Sequence, residues 1–517
     1  MTPTVGETRR TVVAVTLASG IVGFTTTAVT VGTRGMAAEL SLSIVELGWV
    51  VNAYLVSAAA LVLVGGRMGD VLGRVLTFDL GVAVFAFGSV VGIVAPGFWV
   101  LIVARVLQGI GAALILPSSI EVIAEYSPPG KEGSGFRWRG WAYSSAFAVG
   151  PLLGGVLTDW FDWRWIFVFD AAVVAIAGVI MWPLRRSPGR GAHRPTGDAR
   201  GAVLAAVCIG LVVLLAERLA VWDVASIRTL VVLALAVASG IVLVLHERRT
   251  EHPLMHPFVW RDRQVFGANV ATVGASLGMV SLLYFFNLFA QSAATLDHGA
   301  VSVLVALVPF LVAMASCAAF AHWFGHRVGP RGPVTFGLVM MVVGFGMLTT
   351  VDAATTETQL VLPLALAGVG AGIANASLTS IAVLNLPAGR MNEAAGWISL
   401  SRFLGSAMAL AVGTAAFLSV RAGTASSGTP TVPDGGDAFD LVAETLARDL
   451  SGPTMAAAHT ATAASFSRTM GTTCGVLVVV AVVAWWGLGQ PPVTPPDGSG
   501  PPPGRTPRTR TVRRPPR

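Results

Sequence analysis

The stretch GGRMGDVLGR, residues 65–74, separates two long apolar runs with two arginines, one aspartate and four glycines. Its flanks, residues 46–65 and 75–95, each suit a helix crossing a hydrocarbon layer about 30 Å thick. Asp70 and Arg74 fall about one helical turn apart. Further out, comparable runs recur at 11–33, 99–121, 138–158, 164–184, 201–217, 227–246, 265–290, 298–321, 333–351, 358–384, 394–420 and 470–489. The 517 residues are 54% hydrophobic and 12% charged, whereas a soluble domain carries about 25% charge. The pattern predicts an all-α polytopic membrane protein of about 14 transmembrane helices. A cleaved secretory signal could account for residues 9–34 alone, but not for the spans that follow.

The net charge of +7 follows topology and does not point to nucleic acid. Of the 34 Lys and Arg residues, 25 fall in one set of alternate loops and tails, 7 in the other set and 2 inside spans. That bias places the arginine-rich set, including both termini, in the cytoplasm of a cell in whose plasma membrane the chain sits. One lysine, Lys131, stands beside 33 arginines, a composition that suits a GC-rich bacterial genome. Cys208, Cys317 and Cys474 are isolated in apolar runs, with no metal cluster or disulfide framework. No cofactor or metal is expected. The expected partners are lipid, protons and a small-molecule substrate, with the chain acting as a monomer.

Residues 1–10 read as an N-terminal tail and 11–184 as a six-helix bundle. Residues 185–263 read as a basic linker with two extra spans. A second six-helix bundle over 264–489 contains a long external loop, 421–469, with a possible amphipathic helix near Phe439–Leu450. Residues 490–517 read as a Pro- and Arg-rich tail. An internal repeat supports the two halves. GDVLGR (69–74) follows the second span and GHRVGPR (325–331) the tenth, so Gly69, Asp70 and Gly73 align with Gly325, His326 and Gly329. Parallel repeats of this kind mark one class of secondary transporter.

Gly66, Gly69 and Gly73 allow close approach and a tight turn. Asp70 can cap a helix or pair with a base, and Arg74 can face a carboxylate. Such a cluster can latch one conformation, or it can be a solvated loop. Arg105, in LIVARVLQGIGAAL (101–114), lies within an apolar helix, where a cation costs about 2.5 kcal/mol or more and so implies a partner or a role. Gly150, Pro151, Gly154 and Gly155 give the fifth span a smooth, weakened face.

These motifs resemble those of the major facilitator superfamily, and in particular its 14-span drug:proton antiporters. Gly66, Asp70, Gly73 and Arg74 match the loop signature that in the family stabilises the outward-facing state, although Val71 and Val75 stand where basic residues are usual. Arg105 matches the fourth-span arginine implicated in proton coupling. The pattern G-P-x-x-G-G at 150–155 resembles the antiporter motif of exporters. WRWIF (163–167), NLFAQ (287–291), Pro309, GVGAG (368–372), LPAGRMNEAAG (386–396) and RFLGSA (402–407) resemble further stretches of these relatives. The resemblance implies two six-helix bundles with two additional central spans, and export of a drug, antibiotic or other lipophilic molecule by alternating access driven by protons.

One departure stands out. Many members carry a first-span aspartate in a pattern such as L-D-x-T-I-V-N; here the run is FTTTAVT (24–30), with Thr25 at that position and Arg34 where proline is usual. A proton antiporter still requires a titrating group. Asp79, Glu121 and Asp170 are the candidates near or within the membrane, of which Glu121 or Asp170 is expected to supply the missing carboxylate. Thr25, Tyr54, Tyr284, Asn287, Gln291 and Asn375 are the candidate cavity residues. An uncoupled facilitator for a metabolite is the alternative. A membrane enzyme would need clustered His, Asp or Glu; only His322 and His326 share a loop, with no carboxylate cluster beside them.

Overall fold

The structure, a computed structural model, describes residues 4–127, 132–186, 199–218, 222, 226–250, 262–291, 300–328, 331–352, 354–384, 391–418 and 453–488. Helices dominate. In the first part are α1 (Val5–Val31), the short α2 (Thr33–Leu40), α3 (Ile44–Leu72), α4 (Arg74–Ile93), α5 (Phe98–Tyr126), α6 (Glu132–Trp160) and α7 (Arg164–Met181). Next come α8 (Ala199–Arg218) and α9 (Ile227–Glu247). The rest are α10 (Arg263–Gln291), α11 (Ala300–Val328), α12 (Arg331–Leu348), α13 (Glu357–Leu384), α14 (Met391–Leu418) and α15 (Pro453–Gly487). Among the described residues 11 helices are long and apolar enough to cross a membrane. Of the other long ones, α8 and α11 hold shorter apolar stretches, Arg200–Leu215 and Val305–Cys317. α6 begins with a polar segment that includes Arg137 and Arg139.

The glycine-rich stretch at 65–74 is not a loop. α3 starts from a capping box, in which Ser43 Oγ accepts from the Glu46 amide and the Glu46 carboxylate from the Ser43 amide. It then continues through Gly65, Gly66 and Gly69 to Leu72. Isolated, such a segment would be a poor helix; packing against α5 overrides that preference. At Gly65 a Cβ would run into the Ala113 backbone carbonyl of α5, so glycine there lets the helices come this close. The whole connection to α4 is Gly73, whose φ of 95° and ψ of 145° disfavour any side chain.

Two other boundaries differ from the sequence reading. α1 starts at Val5, capped by Thr4, so Arg9 and Arg10 lie on helix. α15 starts at Pro453, well before residue 470, because proline suits the first helical position and the run Met455, Ala456, Ala457 and Ala458 favours helix. The expected amphipathic segment near Phe439–Leu450, the linker at 187–198 and the tail at 490–517 lie outside the described residues. So do the side chains of Arg34, Asp70, Gln291, His322 and His326.

The two halves pack by one scheme. In the first, α1 lies against α6, α5 and α7, α5 against α3 and α4, and α4 against α7. In the second, α10 lies against α14, α13 and α15, α13 against α11 and α12, and α12 against α15. Each pair in one half has its counterpart in the other, as expected for parallel repeats. The halves meet through α3 with α14, α6 with α11, and α1 with α10. α8 sits outside, on α3 and α14, and α9 packs on α8. α9 exposes Leu230, Val231, Leu235, Val237, Ile241 and Val244, as a helix facing lipid should. The buried core runs through both halves, with Phe78, Phe85, Phe147, Phe167, Phe286, Phe310, Phe345 and Phe403 among its largest members.

Candidate functional site

The chemistry gathers inside the first half, where α1, α3, α4, α5 and α7 converge. Small residues draw these helices together: a Cβ on Gly111 of α5 would lie 2.7 Å from the Phe85 amide nitrogen and 2.8 Å from Gly81 O of α4. Arg105 of α5 is fully buried beside them. Its Nε donates to Val50 O at 2.9 Å, and its Nη1 to Gln108 Oε1 at 2.7 Å and to Thr25 Oγ1 at 3.2 Å. Its guanidinium lies 4.6 Å from the centre of the Tyr54 ring, a favourable cation–π contact. These contacts offset much of the cost of burying the charge.

Asp170 of α7 completes the cluster and is also buried. Its Oδ2 accepts from Thr25 Oγ1 at 2.7 Å and from Gln108 Nε2 at 2.9 Å. Gln108 also donates to Ser89 Oγ of α4 at 3.0 Å. Arg105 and Asp170 therefore oppose each other through Thr25 and Gln108 and do not touch directly. Two polar atoms are left over: among the described residues, Asp170 Oδ1 and Arg105 Nη2 are buried without a hydrogen-bond partner. The Phe24 and Phe169 rings, 4.9 Å apart, flank the cluster with apolar surface.

Glu121 stands elsewhere, at the end of the bundle marked by Gly73. Arg74 approaches Glu121 and Glu125 of α5, each at 3.8 Å. Gly66 makes only ordinary contact with Pro117. Asp79 of α4 is buried. On α6, Gly150 and Gly154 press on α1. A Cβ at Gly150 would run into Thr27 Oγ1 and lie 2.9 Å from Phe24 O, and one at Gly154 would meet Ala28 O at 2.9 Å. Pro151 lies within that helix and Gly155 is buried beside it.

The cavity candidates divide. Thr25 and Tyr54 join the Arg105 cluster, and the Tyr54 hydroxyl also donates to Val22 O at 3.0 Å. Tyr284 and Asn287 lie on α10, buried, with Asn287 Nδ2 donating to Thr30 O of α1 across the two halves. Asn375 donates back to Ala371 O of its own helix. Sequence reasoning missed Arg139 and Tyr143 of α6 and Arg402 of α14, which come together between the halves. Arg139 falls at the very start of the expected span 138–158, where a basic residue reads as a flank, and only the start of α6 at Glu132 puts it well inside a helix. Also missed was Glu39, which accepts from Trp163 Nε1 at 2.8 Å and from Arg164 Nη1 at 2.6 Å at the end opposite Gly73.

A profile of the Major Facilitator Superfamily matches residues 13–410. The puromycin resistance protein of Streptomyces alboniger is 30% identical over 397 residues, 75% of this chain and 77% of that one. The tetracenomycin C resistance and export protein of Streptomyces glaucescens is 27% identical, over 78% of this chain and 74% of that one. In fold, the chain resembles a bacterial homologue of the human lysosomal transporter Spinster, in an inward-facing and unoccupied conformation, with a TM-score of 0.62 and 16% identity over 94% of this chain and 98% of that one. The chain is a multi-pass membrane transporter rather than an enzyme, and it belongs to the Major Facilitator Superfamily.

Proposed function

We propose that this chain exports an antibiotic or another lipophilic small molecule by alternating access, in exchange for protons. It would act as a monomer, with the Gly73 end and both termini in the cytoplasm of a bacterial cell. Relatives named for puromycin and tetracenomycin C resistance support export of such compounds. The observation that carries proton exchange is the hydrogen bond from Thr25 to Asp170. Thr25 occupies the position where related antiporters hold an aspartate. The α7 carboxylate reaches that position from another helix.

Protonating Asp170 at Oδ1 breaks no hydrogen bond, since that oxygen has none among the described residues. It removes the charge that faces Arg105 through Thr25 and Gln108. The buried arginine is then uncompensated, a state that cannot be equally stable in every conformation. Differential stability of this kind is what couples proton binding to a conformational change. On this reading Glu121 belongs with Arg74, Asp70, Gly66 and Gly73 in a latch at the cytoplasmic end. Gly150, Pro151, Gly154 and Gly155 let α6 move closely along α1.

Everted vesicles holding an acid-inside gradient test the reading, with puromycin, tetracenomycin C and neutral and acidic compounds added in turn. Substrate-dependent collapse of the gradient that disappears in Asp170→Asn is the expected result. Substrate movement with no proton flux would replace it with an uncoupled facilitator.

A further inference from the structure

Arg139, Tyr143 and Arg402 lie between the two halves, apart from the Arg105 cluster. Arg139 and Tyr143 are four residues apart on α6 and so share a face. Arg402 comes from α14, in the other half, and its guanidinium lies 4.7 Å from the centre of the Tyr143 ring. Arg139 is held from behind, its Nε donating to Ser119 Oγ and its Nη2 to Leu116 O at 2.9 Å. Arg139 thus stands one helical turn from the ring that Arg402 covers. Both arginines are half-buried, and among the described residues no carboxylate forms an ion pair with either. Among the described residues Arg402 Nε is buried without a hydrogen-bond partner. Next to it, Phe403 packs edge-on against Tyr54 at 6.1 Å, which connects this site to the Arg105 cluster.

Two cations brought together inside a membrane protein, with no paired acid and an unused donor, are costly unless an anion joins them. We propose that this pair binds an anionic group of the transported molecule, a carboxylate, sulfonate or phosphate, with one arginine contributed by each half. Guanidinium groups suit such oxyanions because their N–H donors match the geometry of two oxygens. Tyr143, buried on α6, holds the Arg402 guanidinium over its ring and so keeps that cation turned toward the α6 side of the interface. The anion draws the halves together while it is bound, and its release leaves two cations that repel. The ligand therefore interacts differently with the closed and open arrangements, as alternating access requires.

This inference rests on the export reading and narrows its substrate to acidic compounds. The test is a fluorescence titration of the full chain in lipid nanodiscs with three anionic probes: dansyl-phenylalanine, dansyl-tryptophan and 1-anilinonaphthalene-8-sulfonate. The methyl esters of the two dansyl amino acids serve as neutral controls. Wild-type protein should bind the acids about tenfold or more tightly than the esters. Arg402→Gln should abolish the preference, Arg402→Lys should retain part of it, and unchanged ester affinity would show that both variants are folded. Equal affinity for acid and ester, an acid preference that survives Arg402→Gln, or failure to bind any of the three anions would overturn the proposal. In vesicles, puromycin export without any acid preference leaves export standing and removes this inference. An acid preference without gradient collapse does the reverse for proton exchange.

Discussion

At the scale of single residues, the proposed coupling site turns on where one carboxylate stands. Asp170 accepts from Thr25 at 2.7 Å, which on the proposed reading presents from α7 the acid that relatives carry on the first span. Asp170→Asn should keep the hydrogen bonds from Thr25 and Gln108 but cannot take up and release a proton. Proton-driven export should fall by about a hundredfold, a loss on the scale of general acid–base groups, while substrate binding in nanodiscs persists. Moving the acid back, in Thr25→Asp combined with Asp170→Thr, should restore part of the proton flux seen in everted vesicles. Arg105→Lys should not substitute for arginine, because lysine cannot serve Val50 O, Gln108 and Thr25 at once from a planar fork. Arg105 and Asp170 were legible in the sequence because charge inside an apolar run is costly. Their bridging through Thr25 and Gln108 was not, since a polar contact between α1, α5 and α7 depends on packing that no local pattern encodes. The Arg139–Arg402 pair was hidden for the same reason, its members lying far apart in sequence.

At the scale of elements, the sequence located most helices, because a run of about 20 apolar residues has few other fates. Their ends were less legible. Residues 65–74 look like a loop by composition, yet α3 carries helix to Leu72, because contact with α5 outweighs the low helix propensity of glycine. The turn is concentrated at Gly73. Gly73→Val should therefore destabilise the protein by about 1–2 kcal/mol, seen as a lower midpoint of thermal unfolding in detergent. A comparable change at Gly66, which makes only ordinary contact, should cost less. At the opposite end, α2 is held to α7 by Glu39, with Arg164 and Trp163 as donors. The Arg164 hydrogen bond first, then that from Trp163, holds the Glu39 carboxyl below the usual carboxylate range. The contribution is thus fully present above the ordinary glutamate range and is lost as pH falls through the lowered value. Because Glu39 is nearly half exposed, it is worth less than about 1 kcal/mol. Glu39→Gln should lower stability above the ordinary glutamate range, flatten the acid limb of the stability curve below it, and converge with wild type once the carboxyl is protonated in both states.

At the scale of the whole molecule, the two six-helix halves repeat each other's packing, and the polar contacts toward the two ends differ in whether they cross between the halves. Toward the Trp163 end, Asn287 of α10 donates to Thr30 O of α1. Toward the other, the Arg74 contacts with Glu121 and Glu125 tie α4 to α5 within the first half. The first of these contacts crosses between the halves, so it is made only while they are closed there. Removing it acts on one state and leaves the other unaffected, which shifts the population. A single buried hydrogen bond is worth about 1 kcal/mol net, so Asn287→Leu should change the ratio of closed to open at that end by about fivefold. Spin labels on the exposed ends of α7 and α12, chosen at Trp165 and Met347, would report the change as a longer-distance population in dipolar spectra. Arg74→Gln removes a contact that does not cross between the halves, and should leave that distance distribution where it is. An equal shift in both variants would mean that the closed state is held by the packing of α1 on α10 as a whole, with Asn287 contributing little of its own.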